Sequence, residues 1–145
     1  MDTIVFNQQS ILLPVLAVLF LGFLIWITLF VTRFKAILSE GIPANDLSTP
    51  EAIREKIPGK PMQPVNNFRN FFEVPMIFLA LCFYLFVTGN VDSTYLNLAW
   101  IFVGFRYLHA LIHCSYNHVM HRFITYLVAC IALWSMLIIA ILDAV

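Results

Sequence analysis

The chain has 145 residues, of which 61% are hydrophobic and 11% charged, and its formal net charge is zero. A soluble domain averages about 45–50% apolar and about 25% charged residues, so eight basic and eight acidic side chains are too few to clothe a water-soluble surface of this size. The neutral balance gives no basic field for nucleic acid, and no zinc-finger spacing, P-loop or GxGxxG occurs.

From Thr3 to Thr32 no residue is charged. A helix of thirty residues would extend about 45 Å, more than the roughly 30 Å hydrocarbon core of a bilayer. The reading is a transmembrane helix over Gln9 to Leu38, with Arg33 and Lys35 marking its exit. It is not read as a cleaved signal peptide, because the run lacks a basic leader and far exceeds a 7–15-residue apolar region. Gly22 offers a neighbouring helix a close approach.

Glu40 to Pro64 is the polar segment, with prolines at 43, 50, 58, 61 and 64. Thr49 can cap a short helix over Pro50 to Ile57 with Pro50 at its first position. Ser48 and Glu51 offer capping-box spacing one residue earlier. Ile53 and Ile57 would rest on the bundle or the bilayer surface.

A second membrane helix is expected over Val65 to Gly89, bent by Pro75. Its entry, PVNNFRNFFEVP, carries Asn66, Arg69, Asn70 and Glu73. At 100° per residue these four share a stripe about 100° wide. Arg69 and Glu73 have ion-pair spacing, and the asparagines could equally join helices by hydrogen bonds. Ionisable groups at the mouth of a membrane helix are costly unless they face protein or water, so the stripe is a candidate site.

A third helix, Ser93 to Tyr116, and a fourth, Asn117 to Leu142, complete an all-α, integral membrane four-helix bundle, read as a single domain over residues 1–145. On the third, Arg106, His109, His113, Tyr116 and Asn117 form another stripe about 100° wide. Two such stripes on adjacent helices make a cationic pocket in which Arg suits carboxylate recognition and His can donate, accept or titrate. His109, His113, His118 and His121 also invite a metal or haem reading, although no carboxylate accompanies them and Arg106 and Arg122 flank them. Arg122 reads either as an interfacial anchor or as a group that stabilises an anion. Cys82, Cys114 and Cys130 are widely spaced in apolar runs and read as small buried hydrophobes. Lysine and arginine concentrate in and around the first loop and flank the third connection, which places that loop in the cytoplasm and both termini outside.

At these residues the sequence resembles the MAPEG family, membrane-associated proteins in eicosanoid and glutathione metabolism, and its bacterial branch most closely. The likeness covers about Val65 to Ala140. It rests on Asn70-Phe71-Phe72-Glu73 followed by Pro75, on Arg106-Tyr107-Leu108-His109, and on the four-helix layout with a polar first loop. The resemblance implies a homotrimer, in a bacterial inner membrane, that binds glutathione as co-substrate between neighbouring subunits near the cytoplasmic face. It also implies a lipophilic small-molecule substrate entering from the membrane lipids.

Carried over by position, the glutathione-binding candidates are Arg33, Asn66, Arg69, Asn70, Glu73, Arg106, His109 and Tyr116. The catalytic candidates are Arg106, Arg122 and His113, and no metal ligand is assigned. Asn66 stands where the family usually has Arg, and His113 where it usually has Tyr. Arg122 lies two residues out of register with the family's thiol-activating arginine. The expected activity is that of a glutathione-dependent transferase or peroxidase. The alternatives are a noncatalytic trimer that binds a thiol or lipid, and a histidine-ligated metal or haem protein.

Overall fold

The computed structural model describes residues 7–144. Among these, helices account for nearly all of the regular structure and no strand occurs. A 3₁₀ turn, Gln8–Ile11, leads into α1, Leu12–Glu40. The polar segment holds a second 3₁₀ turn, Ala44–Leu47, and a short helix α2, Pro50–Lys56. Then follow α3 (Met62–Phe71), α4 (Val74–Thr88), α5 (Ser93–Cys114) and α6 (Val119–Asp143). Four stretches are long and apolar enough to cross a membrane: Gln8–Glu40, Met62–Thr88, Ser93–Cys114 and Val119–Asp143.

The helix expected over 65–89 is two helices rather than one bent helix. A proline ring clashes with the carbonyl four residues earlier and cannot donate to it. For Pro75 that residue is Phe71, and α3 ends there. Phe72 and Glu73 turn out of helical geometry, Glu73 with φ −94° and ψ −101°, and α4 restarts with Pro75 in its first turn. Phe71 also anchors the break from the other side. Its ring lies on Gly22 of α1, so closely that a Cβ there would be 2.7 Å from Phe71 Cζ. The absent side chain at Gly22 is therefore what lets α3 dock on α1.

α5 and α6 form the most extensive helix pair, α1 lies against both α3 and α5, and α4 touches α1 and α6. Phe78 of α4 and Phe102 of α5 stack at 4.3 Å in the centre, both fully buried, with Cys82, Leu85, Ala99, Leu133 and Met136 around them. The outward faces remain apolar: Phe20, Phe23, Trp26, Phe30 and Phe34 run down α1 in successive ring contacts, all exposed. An exposed aromatic ladder of this length suits lipid, since water-facing surfaces seldom carry contiguous apolar patches so large.

Polar clasps define the two ends of the bundle. At one end Gln8 exchanges two hydrogen bonds with the backbone of Val91 (3.1 and 2.7 Å), and the Tyr95 hydroxyl donates to Asp143 at 2.7 Å. The start of α1, the α4–α5 connection and the end of α6 are thereby held together. The polar first loop and the α5–α6 turn lie at the opposite end. In that loop Thr49, not Ser48, caps α2: its hydroxyl accepts from the Ala52 amide at 3.1 Å. Ile57, just beyond α2, is buried.

Candidate functional site

The inward stripe of α5 supplies the core of the site. Arg106, His109 and His113 are 2%, 2% and 3% exposed. At 1.5 Å per residue Arg106 lies about 12 Å along α5 from its end at Cys114. It points at the C-terminus of α3, where Nη2 donates to the Asn70 carbonyl at 3.4 Å. A helix C-terminus leaves carbonyls without intrahelical partners and carries partial negative charge. The break at Pro75 thus creates an acceptor for Arg106. The guanidinium carbon also lies 5.7 Å from the Tyr126 ring centroid on α6, a cation–π contact worth about 0.5–2 kcal/mol. Nε and Nη1 of Arg106 are buried and have no partner among the described residues.

α6 brings Arg122 across to this stripe, and a local turn decides how. Asn117 takes a left-handed conformation (φ 51°), which asparagine tolerates better than most residues. Its amide donates back to the Ile112 carbonyl at 2.9 Å, ending α5. Its side-chain oxygen then accepts from Arg122 Nη1 at 2.7 Å, and the same nitrogen lies 3.2 Å from His113 Nε2.

These partners fix the imidazole tautomers. A guanidinium only donates, so His113 Nε2 must accept and carries no proton. His109 Nδ1 faces the Arg122 carbonyl at 2.9 Å, so there the ring must donate. The proton of neutral His109 is therefore on Nδ1, and its buried Nε2 keeps a lone pair without a partner among the described residues.

Asn70, His109, Arg122, Phe123 and Tyr126, with Val119 at the rim, line a cleft of about 200 Å³ among α3, α5 and α6. Arg106 touches two of its walls, Asn70 and Tyr126. The arrangement puts Arg122 and His109 on the cleft wall, with the Arg106 guanidinium against two further wall residues, Asn70 and Tyr126. It can hold an anion and take up a proton beside it.

The other expected site residues divide among four places. Arg33 and Arg69 lie away from this cleft, in a groove shared with Arg54 on the far side of α3. Asn66 and Glu73 are exposed. Glu73 makes no ion pair with Arg69, and the only ion pair among the described residues is Lys56–Asp46. The reason is the helix break, which takes Glu73 off the stripe that continuous helical geometry assigns to it. Tyr116 is exposed beyond the end of α5 and pairs with His121 Nδ1 at 3.0 Å instead of entering the cleft. His113 lies behind Arg122 and positions it, and its one accepting nitrogen is occupied by that task.

Two contributors escape the sequence reading. Tyr126 sits in an apolar run, and its i,i+4 spacing from Arg122 is the signal that it shares the cleft. Asn67, rather than Asn66, is the fully buried asparagine of α3, donating to Cys114 Sγ at 3.4 Å.

Comparison with known proteins adds one match. Neither the curated proteins nor the solved structures searched include a match to the chain. The family model described as "MAPEG family" matches residues 11–142, a span that takes in all four membrane helices almost entirely and every residue of the cleft, and on that match the chain belongs to the MAPEG family.

Proposed function

We propose that this chain is a glutathione-dependent membrane transferase or peroxidase that acts on lipophilic electrophiles or lipid hydroperoxides. The observation that carries the reading is Arg106, which is 2% exposed yet keeps Nε and Nη1 without a partner among the described residues. A buried charge is costly unless it is paired and hydrogen-bonded. The planar fork of a guanidinium suits an anion such as a carboxylate or thiolate. Glutathione has both, and family membership makes it the first ligand to test.

The residues support a division of labour. Arg106 and Arg122 would hold the sulfur as thiolate, since a thiol is mostly protonated near neutrality and adjacent cations favour its ionised form. His109, which lines the cleft and whose Nε2 lone pair has no partner among the described residues, would take the thiol proton. Asn70 would orient the peptide. The sulfur then attacks an electrophilic carbon, whose leaving group departs with the bonding pair. Such a step needs positioning and charge stabilisation but no protein nucleophile.

A volume of about 200 Å³ falls below the roughly 300–1,000 Å³ of most ligand pockets. Exposed Asn66 and Glu73, within or beside a membrane span, call for coverage by protein or water. Both features favour a homotrimer in which a neighbouring copy completes the pocket. The basic first loop favours a cytoplasmic location for this end and both termini outside, while a bacterial inner membrane as the setting rests on the resemblance to the family's bacterial branch. The second substrate would enter sideways between exposed aromatic faces.

The test is turnover by detergent-purified protein. Conjugation of chlorodinitrobenzene or reduction of a lipid hydroperoxide should require glutathione and be lost in Arg106→Met. A second reading, a noncatalytic thiol-binding trimer, draws on the engagement of Arg122 by His113 and Asn117, which leaves that guanidinium fewer free donors. Saturable glutathione binding with no turnover of either substrate would favour it.

A further inference from the structure

On the side of α3 away from the cleft, α1, α2 and α3 enclose a groove of about 460 Å³. Arg33 of α1, Arg54 of α2 and Arg69 of α3 all line it, with Glu51 the one carboxylate among its walls. The groove therefore has an excess of two positive charges. None of the three guanidinium groups has a hydrogen bond or ion pair among the described residues, although nearby Lys56 is paired with Asp46 at 2.6 Å. The remaining walls are apolar, Ile53 and Val65 among them.

The groove lies where the lipid-facing surface meets the polar loop. Arg33 is followed directly by Phe34, the last ring of the exposed aromatic ladder, and α1 ends seven residues later at Glu40. A groove at that depth meets headgroups on its polar side and acyl chains on its apolar side. Arg69 is adjacent in sequence to Asn70, so its side chain leaves α3 about 100° away from the cleft. The groove is a second site and not an extension of the first.

We propose that this groove binds the phosphate headgroup of an anionic membrane lipid. Arg33, Arg54 and Arg69 contact the phosphate and pin α2 against the bundle, while Ile53 and Val65 receive the first carbons of the acyl chains. The apolar walls and the continuity with lipid-facing Phe34 commit the site to a lipid over a free phosphate ion. The inference does not depend on the proposed enzymatic activity.

The experiment uses the full chain in nanodiscs of equal phosphatidylglycerol and phosphatidylcholine, released into mild neutral detergent and examined by native mass spectrometry. The wild type should retain phosphatidylglycerol in preference to phosphatidylcholine. Arg54→Gln should reduce that preference about fivefold, the strength of one basic residue at an anionic surface, and Arg33→Gln with Arg54→Gln should abolish it. Lys60→Gln, an exposed loop charge outside the groove, should leave it unchanged, and glutathione binding should persist in Arg54→Gln. Equal retention of both lipids by the wild type would overturn the proposal. An equal loss in Lys60→Gln would do so too, since it would mean diffuse attraction. Displacement by glycerol phosphate at the same concentration as the intact lipid would show a free-anion site and overturn the commitment to lipid.

Discussion

Replacing Arg106 by methionine separates its cost to the fold from its use to a ligand. Among the described residues the Arg106 side chain has one hydrogen bond, at 3.4 Å, and one cation–π contact at 5.7 Å to set against burial of a full charge. Exchanging a poorly paired buried ion for an apolar side chain of similar volume is often neutral, or stabilising by about 1–4 kcal/mol. The Asn70 carbonyl is not orphaned by the change, since it also faces the Glu73 amide at 3.4 Å. Arg106→Met should therefore melt at or above the wild-type temperature in detergent.

Binding should move the other way. Two free donors, Nε and Nη1, each making a charge-assisted hydrogen bond of about 1.5–3 kcal/mol, give about 3–6 kcal/mol. At 1.4 kcal/mol per decade that is a loss of about 10²–10⁴-fold in glutathione affinity. Calorimetric titration measures the affinity, and thermal melts with and without glutathione measure the linkage. Wild-type stability should rise by about 2.7 kcal/mol at a ligand concentration 100 times its Kd, and the variant at that same concentration by no more than about 0.4 kcal/mol. A variant that binds glutathione within threefold of wild type, or that unfolds without it, would refute the reasoning by making Arg106 a structural residue.

Two further outcomes test the architecture. Gly22→Ala places a Cβ 2.7 Å from Phe71 Cζ, and Phe71 is only 5% exposed with little room to retreat. Overpacking of this kind typically costs about 1–3 kcal/mol. Gly104→Ala, with no atom within 4 Å of its Cβ, should stay within about 0.5 kcal/mol of wild type, and equal melting temperatures for the two variants would contradict the Phe71–Gly22 lock. Thr49→Ala removes the cap on the Ala52 amide and should weaken α2 by about 1 kcal/mol. Faster hydrogen exchange confined to Pro50–Lys56 would show it, and unchanged exchange there would contradict it.

Much of the fold is legible in the sequence, because the dominant forces act at the level of composition and period. Uncharged runs of membrane length and the glycine at position 89 come directly from the physics of burying a backbone in lipid. The stripe Arg106, His109, His113 is also legible, since three polar residues at helical spacing in an apolar helix must face inward together. The rotation of α3 is not. It lasts ten residues and is polar on several sides, so the choice between Asn66 and Asn67 as the buried residue rests on the fit of Phe71 against Gly22, a tertiary contact.

Pro75 signals a disturbance without its extent. A bend would have kept Glu73 in line with Arg69, whereas the break releases it and opens the Asn70 carbonyl to Arg106. Arg122 carries two local readings in sequence, and only the turn at Asn117 shows how its guanidinium is held. Arg33 and Arg69 illustrate the converse. Their basicity at a membrane boundary is plain in the sequence, but which cavity they serve depends on how α2 folds back over α1 and α3.

The position of glutathione in a structure of the complex tests the central claim most directly. Its thiol or a carboxylate should lie within hydrogen-bonding distance of Arg106 Nε or Nη1, in the cleft walled by Asn70, His109, Arg122 and Tyr126. Density for glutathione beside Arg33 and Arg54, with Arg106 untouched, would contradict it.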